Sequence, residues 1–428
     1  MGKRKTQTGI ISYMSGTTTW SECFAALRGR KSTTDYVGIY HEKIRKLLDV
    51  KYVYSFCSGR AALYALLKAM GIKKGDEVLI EGYTCVAVPK AIIYAGGIPS
   101  YADINENDYG VTYESVKERI NEKTFAVVVQ HTYGIACEDI FRIYDLCKQK
   151  GIYLIEDCAH TLGATYQGKR LGCIGDAAFF STDHTKYIST CVGGFCITNV
   201  DDIGNKLDII YKATAELTKK ENNSIVRQFF ETNFIQGKSM QRMLYKHYAL
   251  QKLVWRWQYI KMKLGRSYYL DDYDNFDAPK YTFPAKLPNV MAMVGVNQLN
   301  RLDENTRHRK QITDIYRREL TALINIPKEC DAPVRVPILL RDEEEQRLFS
   351  EMTRDIMLAG QWFTNTVVCI PKSLNRAAYY DEGTCPLAES ITRRVVNIPN
   401  HEKVTEEDAY RICKRINEIV NRWHDDSR

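Results

Sequence analysis

An α/β fold, a mostly parallel sheet sandwiched by helices with a smaller C-terminal α+β domain, is predicted by three features of this 428-residue sequence. Short apolar runs alternate with helix-length amphipathic segments, the pattern of parallel strands joined by right-handed crossovers. One of those runs, Tyr153-Leu154-Ile155, ends in the acids Glu156 and Asp157, and open α/β sheets gather ligands at such carboxyl ends. A lysine, Lys186, then lies among small polar residues and glycines in GDAAFFSTDHTKYISTCVGG, Gly175 to Gly194.

The elements follow in order. Tyr52 to Phe56 reads as a strand, Ser58-Gly59 as a turn, and Ala61 to Met70 has the composition of a strong helix former. Strand, glycine turn and helix make a plausible anion site, although a Ser-Gly before a helix is more commonly a plain N-cap. Val78 to Ile80, Phe125 to Gln130 and Tyr153 to Ile155 read as strands, with helices over Tyr113 to Ile120 and Ile140 to Lys150 between them. Apolar residues at 140, 143, 144, 146 and 147 give the second helix one buried face. Ala177 to Phe180 is a further strand, delivering Ser181 and then Lys186. Val290 to Leu323 predicts one long helix. Val334 to Leu340, Thr366 to Ile370 and Val395 to Ile398 read as strands, and Glu406 to Trp423 as a helix, together a compact C-terminal domain.

Composition fits a soluble enzyme, 45% hydrophobic and 26% charged, long enough for two or so domains. The thirteen cysteines are scattered and free of CxxC pairs, which argues against a disulfide framework or zinc site and for a reducing cytoplasm. The N-terminus carries positive charge but no apolar core for a signal peptide, and no stretch approaches the ~20 apolar residues of a membrane span.

An acid, a hydroxyl and an amine at one sheet edge suit pyridoxal 5'-phosphate (PLP), which needs a lysine, an acid for its pyridine nitrogen, and donors for its phosphate. Taken singly, Lys186 reads as one more surface lysine and Asp157 as a helix cap. Longer stretches tip the balance: CSGRAALYALLKAMGIKKGDEVLIEGYTCVAVPKAIIYAGGIPSYADI, VVVQHTYG, IEDCAHTLGATYQGKRLGCIGDAAFFSTDHTK and VGVNQLNRLDENTRHRKQITDIYRREL. In order and spacing, from about Tyr36 to Ile419, the chain resembles the DegT/DnrJ/EryC1/StrS sugar aminotransferases, PLP-dependent transferases of fold type I.

The resemblance implies a role for each matching residue. Lys186 takes the place of the Schiff-base lysine, Ser181 of a phosphate ligand, Asp157 of the acid paired with the pyridine nitrogen, and His160 of the Gln or His near the phenolic oxygen. Ser58-Gly59-Arg60 replaces the usual Asn- or Ser-Gly-Thr phosphate loop, with Arg60 adding charge. Cys85 stands where an aromatic usually stacks on the ring, which leaves Tyr83 or His131 to cover it. The implied activity is ping-pong transamination through pyridoxamine phosphate (PMP). Its donor would be an amino acid, glutamate by family habit, and its acceptor a keto sugar, usually nucleotide-linked, in amino-sugar and surface polysaccharide biosynthesis. A homodimer is implied as well. Two rivals stand beside it: a PLP- or PMP-dependent sugar dehydratase or deoxygenase, in which His often replaces the lysine, and a non-catalytic regulator keeping the fold.

The sequence departs from these relatives after Lys186. Tyr187 follows where Asn is common, TCVGG replaces Gly-Glu-Gly-Gly, and PAKLPN (Pro284 to Asn289) stands for an Asn-Tyr-Arg-Met-like segment after an insertion of on the order of ~50 residues, longer than an ordinary loop. Between Lys238 and Arg266 lie eight basic and no acidic residues, interleaved with aromatics, and those eight charges equal the net charge of +8. This predicts a basic aromatic helix that packs against a second subunit or a pocket, or else lies peripherally on an anionic membrane. A nucleic-acid partner is not expected, since a basic stretch alone is only an electrostatic footprint. The predicted divisions are an N-terminal arm (1–35), a large PLP-binding domain (36–228), the insertion (229–283), a connecting helix (284–325) and a small domain (326–428).

Overall fold

The computed structural model describes residues 9–12, 16–263, 275–276, 279, 281–320, 330, 332–360, 362–368 and 370–425. Leu264, Arg266, Leu323 and Cys369 lie outside the described residues, as do the first eight. Seven strands form the central sheet: β1 (Tyr52–Phe56), β2 (Glu77–Glu81), β3 (Ile98–Ala102), β4 (Thr124–Gln130), β5 (Tyr153–Asp157), β6 (Ala177–Ser181) and β7 (Gly194–Thr198). Their order is β1-β7-β6-β5-β4-β2-β3, and β7 runs against both its neighbours while the other pairings are parallel. Asp157 at the end of β5 is in register with Gln130 on one side and Phe179 on the other, so the acid sits mid-sheet at the carboxyl edge.

Side chains alternate faces along a strand, and this separates the two acids that end β5. Glu156 is fully buried, accepting the amide N–H groups of Gly172, Ile174 and Gly175 at 2.6–2.7 Å. Asp157 takes the opposite face.

Helix α1 (Trp20–Gly29) gives the N-terminal arm an ordered element, with a capping box between Thr19 and Glu22. It packs on α3 (Lys219–Ile235) and α6 (Asn289–Asn300). Helix α2 (Gly59–Met70) follows β1, is capped by Ser58, whose hydroxyl accepts the Ala61 N–H at 3.1 Å, and ends at Gly71 in the left-handed region, φ 92°. The insertion is helical as expected, with α3 followed by α4 (Lys238–Lys246) and α5 (Tyr248–Lys263).

The single helix expected over Val290 to Leu323 is instead two, α6 and α7 (Leu302–Glu319), broken at Arg301. The cause is a change of environment. Helix α6 is buried on nearly all sides and α7 on one face only, and Arg301 turns between them to reach Glu22 at 3.2 Å and Glu402. In the C-terminal region, β8 (Arg335–Leu339) and β9 (Val395–Pro399) pair antiparallel, and α8 (Glu406–Asp425) packs on α7. The strand expected over Thr366 to Ile370 shrinks to Val367–Val368, which pairs with Thr84–Cys85 of the first half of the chain. That pairing draws the C-terminal region over the carboxyl edge of the sheet. No described helix is long and apolar enough to cross a membrane.

Candidate active site at the carboxyl edge of the sheet

The chain folds so that Lys186, Asp157, His160 and the Ser58–Arg60 turn meet at one edge. Asp157 is 2% exposed; its Oδ1 accepts the Ala159 N–H at 2.9 Å, and its Oδ2 has no partner among the described residues. Burial pushes its pKa up to about 6, partly offset by the Ala159 bond and the Lys186 charge. Lys186 is held below the ordinary lysine value by burial and the Arg335 charge, while Cys85, Asp183 and Asp157 pull it back. Its Nζ lies 4.6 Å from the centroid of the Trp362 ring.

The Lys186 turn is fixed from below. Lys186 N–H donates to the Asp183 carbonyl, the Tyr187 carbonyl accepts from Asn305 Nδ2 at 3.0 Å, and the Tyr187 hydroxyl donates to Thr306 at 3.0 Å. Tyr187 thus anchors the turn onto α7. His184, two residues from Lys186, is turned aside: its Nδ1 lies 2.7 Å from Asp183 Oδ1. Burial opposes a charge on His184, but the Asp183 carboxylate outweighs it and the pKa rises.

His160 is buried and its Nδ1 accepts the Tyr133 N–H at 3.1 Å. Burial, with the Lys186 and Arg335 charges, drives its pKa well below the ordinary value, so the ring is neutral and its proton resides on Nε2. The Ser58–Arg60 turn abuts Ser181. A Cβ on Gly59 would stand 3.2 Å from Ser181 Cβ, and one on Gly194 would stand 2.4 Å from Gly59 N, so both glycines permit a close backbone approach. Arg60 Nη1 donates to the Tyr281 hydroxyl at 2.9 Å.

Two of the expected ring-covering residues are committed elsewhere. Tyr83 is fully buried, with its hydroxyl 2.7 Å from that of Tyr133 and accepting from Phe363 N–H at 3.0 Å, so it ties the sheet to the 362–363 loop. His131 is fully buried, its Nε2 3.0 Å from Glu156 Oε2 and its Nδ1 accepting the Cys137 N–H. Cys85 stands within the electrostatic reach of both Lys186 and Asp157.

Sequence reasoning missed Trp362 and Arg335. Trp362 lies 4.9 Å from the His160 ring and 3.6 Å from the Arg335 guanidinium carbon, as well as facing Lys186. Its one sequence signal is a Trp-Phe pair in a polar loop, AGQWFTNT. Among the described residues, His131, Glu156 and Cys158 form one group with metal-ligand atoms within 4.8 Å of one another. Hydrogen bonding accounts for it, since Glu156 already accepts three amide donors besides His131.

The model of the DegT/DnrJ/EryC1/StrS aminotransferase family matches residues 21–234 and 260–417. The chain belongs to that family. It is similar to GDP-perosamine synthase of Vibrio cholerae, 28% identical across 90% of this chain and 91% of that one. Its fold matches that of the aminotransferase PseC from Helicobacter pylori, at 18% identity and a TM-score of 0.71 over 96% of this chain and 98% of that chain. NtdA from Bacillus subtilis, solved with bound PMP, matches at 17% identity and a TM-score of 0.70 over 96% of this chain and 83% of that one. The large-domain sheet is thus that of type I PLP-dependent enzymes, as the sequence predicted.

The residues present fit the family's cofactor. A buried carboxylate with one unpartnered oxygen suits a protonated ring nitrogen. An imidazole with its proton on Nε2 suits a phenolate oxygen, and a capped helix start packed on Ser181 suits a phosphate.

Proposed function

We propose that this PLP-dependent sugar aminotransferase takes its amino group from glutamate and delivers it to a ketone on a nucleotide-linked hexose, in amino-sugar and polysaccharide biosynthesis. The observation that carries the reading is the convergence of a buried lysine of lowered pKa with an unpartnered carboxylate oxygen and a neutral histidine. PLP, when bound, withdraws electrons from the donor α-carbon and stores the amino group between the two halves of the reaction. Lys186 would carry its aldehyde end, Asp157 its ring nitrogen, His160 its phenolic oxygen, and Ser58, Gly59, Arg60 and Ser181 its phosphate.

Lys186 Nζ moves the proton. Burial holds the amine nearer neutrality than a surface lysine, so it can take a proton from the donor α-carbon and return it in the second half. Trp362 faces Lys186 Nζ at 4.6 Å, and we assign it the shielding role that the sequence left to Tyr83 or His131. The rival deoxygenase reading loses ground because His184 is engaged by Asp183. Incubating PLP-loaded enzyme with glutamate alone tests the reading. PMP and 2-oxoglutarate are expected in equal amounts, and recovery of unchanged PLP would overturn glutamate as the donor.

We further infer a homodimer, as the family forms, and a reducing cytoplasm, supported by twelve described cysteines that form no disulfide. Peripheral membrane contact through 238–266 is supported by Leu253, Trp257, Tyr259 and Ile260, exposed on α5 among Lys252 and Arg256.

A further inference from the structure

A cavity of about 880 Å³ lies beside the Lys186 turn, between the insertion and the rest of the molecule. Helices α3, α4 and α5 form most of its wall, and Asp183 and His184 reach it from the turn itself. Much of that wall lies in residues 235–259, the stretch the family model leaves unmatched.

Its chemistry is that of amides and aromatic rings. Gln228, Gln236, Gln241, Gln251 and Gln258 all line it. Gln228 Oε1 is buried with no hydrogen-bond partner among the described residues. Each amide offers both a donor and an acceptor, the pairing that a sugar hydroxyl satisfies. Tyr245, Tyr248 and Trp255 supply flat apolar faces, and all three are largely exposed.

Charge narrows the ligand. On the wall Lys261 is neutralised by Glu231, and His184 by Asp183. Exposed Arg354 is the remaining cation of the lining. Such a lining offers little to a diphosphate and much to an uncharged polyol, and its volume lies within the range of small-molecule sites.

We propose that this cavity is a carbohydrate subsite that holds an uncharged glycosyl ring of the amino acceptor, apart from the ring that bears the reacting ketone. The proposal rests on the sugar aminotransferase reading and adds to it. The acceptor would then carry at least two sugar rings.

Saturation-transfer NMR and calorimetry on PLP-loaded enzyme test it, with neutral methyl hexosides as probes and guanosine and uridine as competitors. At least one methyl hexoside is expected to bind, with affinity falling by about tenfold or more in Trp255→Ala and in Gln258→Leu. Leu253→Ala, on the outward side of the same helix, should bind it as the unaltered enzyme does and so controls for helix integrity. Absence of hexoside binding, displacement by either nucleoside, or equal affinity in Trp255→Ala and Gln258→Leu would overturn the proposal. The glutamate half-reaction of the same loaded enzyme involves no acceptor, so failure of the aminotransferase reading would show there independently.

Discussion

At the residue scale, the electrostatics of Asp157 carry the account. Its folded-state pKa of about 6 lies above the usual 3.8, so the charged form is disfavoured in the cofactor-free protein. Its stabilising contribution is therefore complete below about pH 4 and is lost as pH rises through about 6. The shift corresponds to roughly 3 kcal/mol. Asp157→Asn should raise the thermal stability of cofactor-free protein at pH 8 by an amount of that order, yet leave it unchanged at pH 4. The same variant should lose activity, because the ring nitrogen loses its anion; calorimetry at both pH values with a glutamate assay checks each half. Lys186→Ala should lower turnover by about 10³-fold or more, measured as PMP formed. Lys186, Asp157 and Ser181 were legible because a strand end and its following turn are local in sequence. Trp362 and Arg335 were not, because only the return of the C-terminal region over the sheet brings them to the lysine.

At the element scale, β7, β6 and the start of α2 fit closely. A methyl on Gly194 would meet Gly59 N at 2.4 Å and the Phe180 carbonyl at 2.5 Å, both backbone atoms with little room to yield. Gly194→Ala should therefore destabilise the protein by about 1–3 kcal/mol and weaken cofactor retention, read by denaturant titration and by PLP content after dialysis. Strands β4, β5 and β6 could be read from their apolar runs, since burial on both faces leaves that pattern. The break at Arg301 could not, because both halves are helical by composition and the interruption answers to Glu22 and Glu402, distant in sequence. The Val367–Val368 strand was misjudged for a similar reason: its partner is Thr84–Cys85, in another part of the chain.

At the scale of the whole molecule, the insertion sets this chain apart, and its two faces differ. The inner face lines the amide-rich cavity, whereas the outer face of α5 shows Leu253, Trp257 and Ile260 to solvent. If the outer face meets an anionic membrane, the protein should pellet with phosphatidylserine vesicles at physiological salt, and Trp257→Glu should abolish pelleting without changing the glutamate half-reaction. The basic aromatic character of this segment was plain in sequence, but its division into cavity wall and outer surface depends on how α3, α4 and α5 fold together. Everything nevertheless rests on the bond proposed between Lys186 and the cofactor. Borohydride reduction of the PLP-loaded enzyme, followed by peptide mass spectrometry, tests it most directly: the account predicts a phosphopyridoxyl group on Lys186 alone, and a label on another lysine, or none, would contradict it.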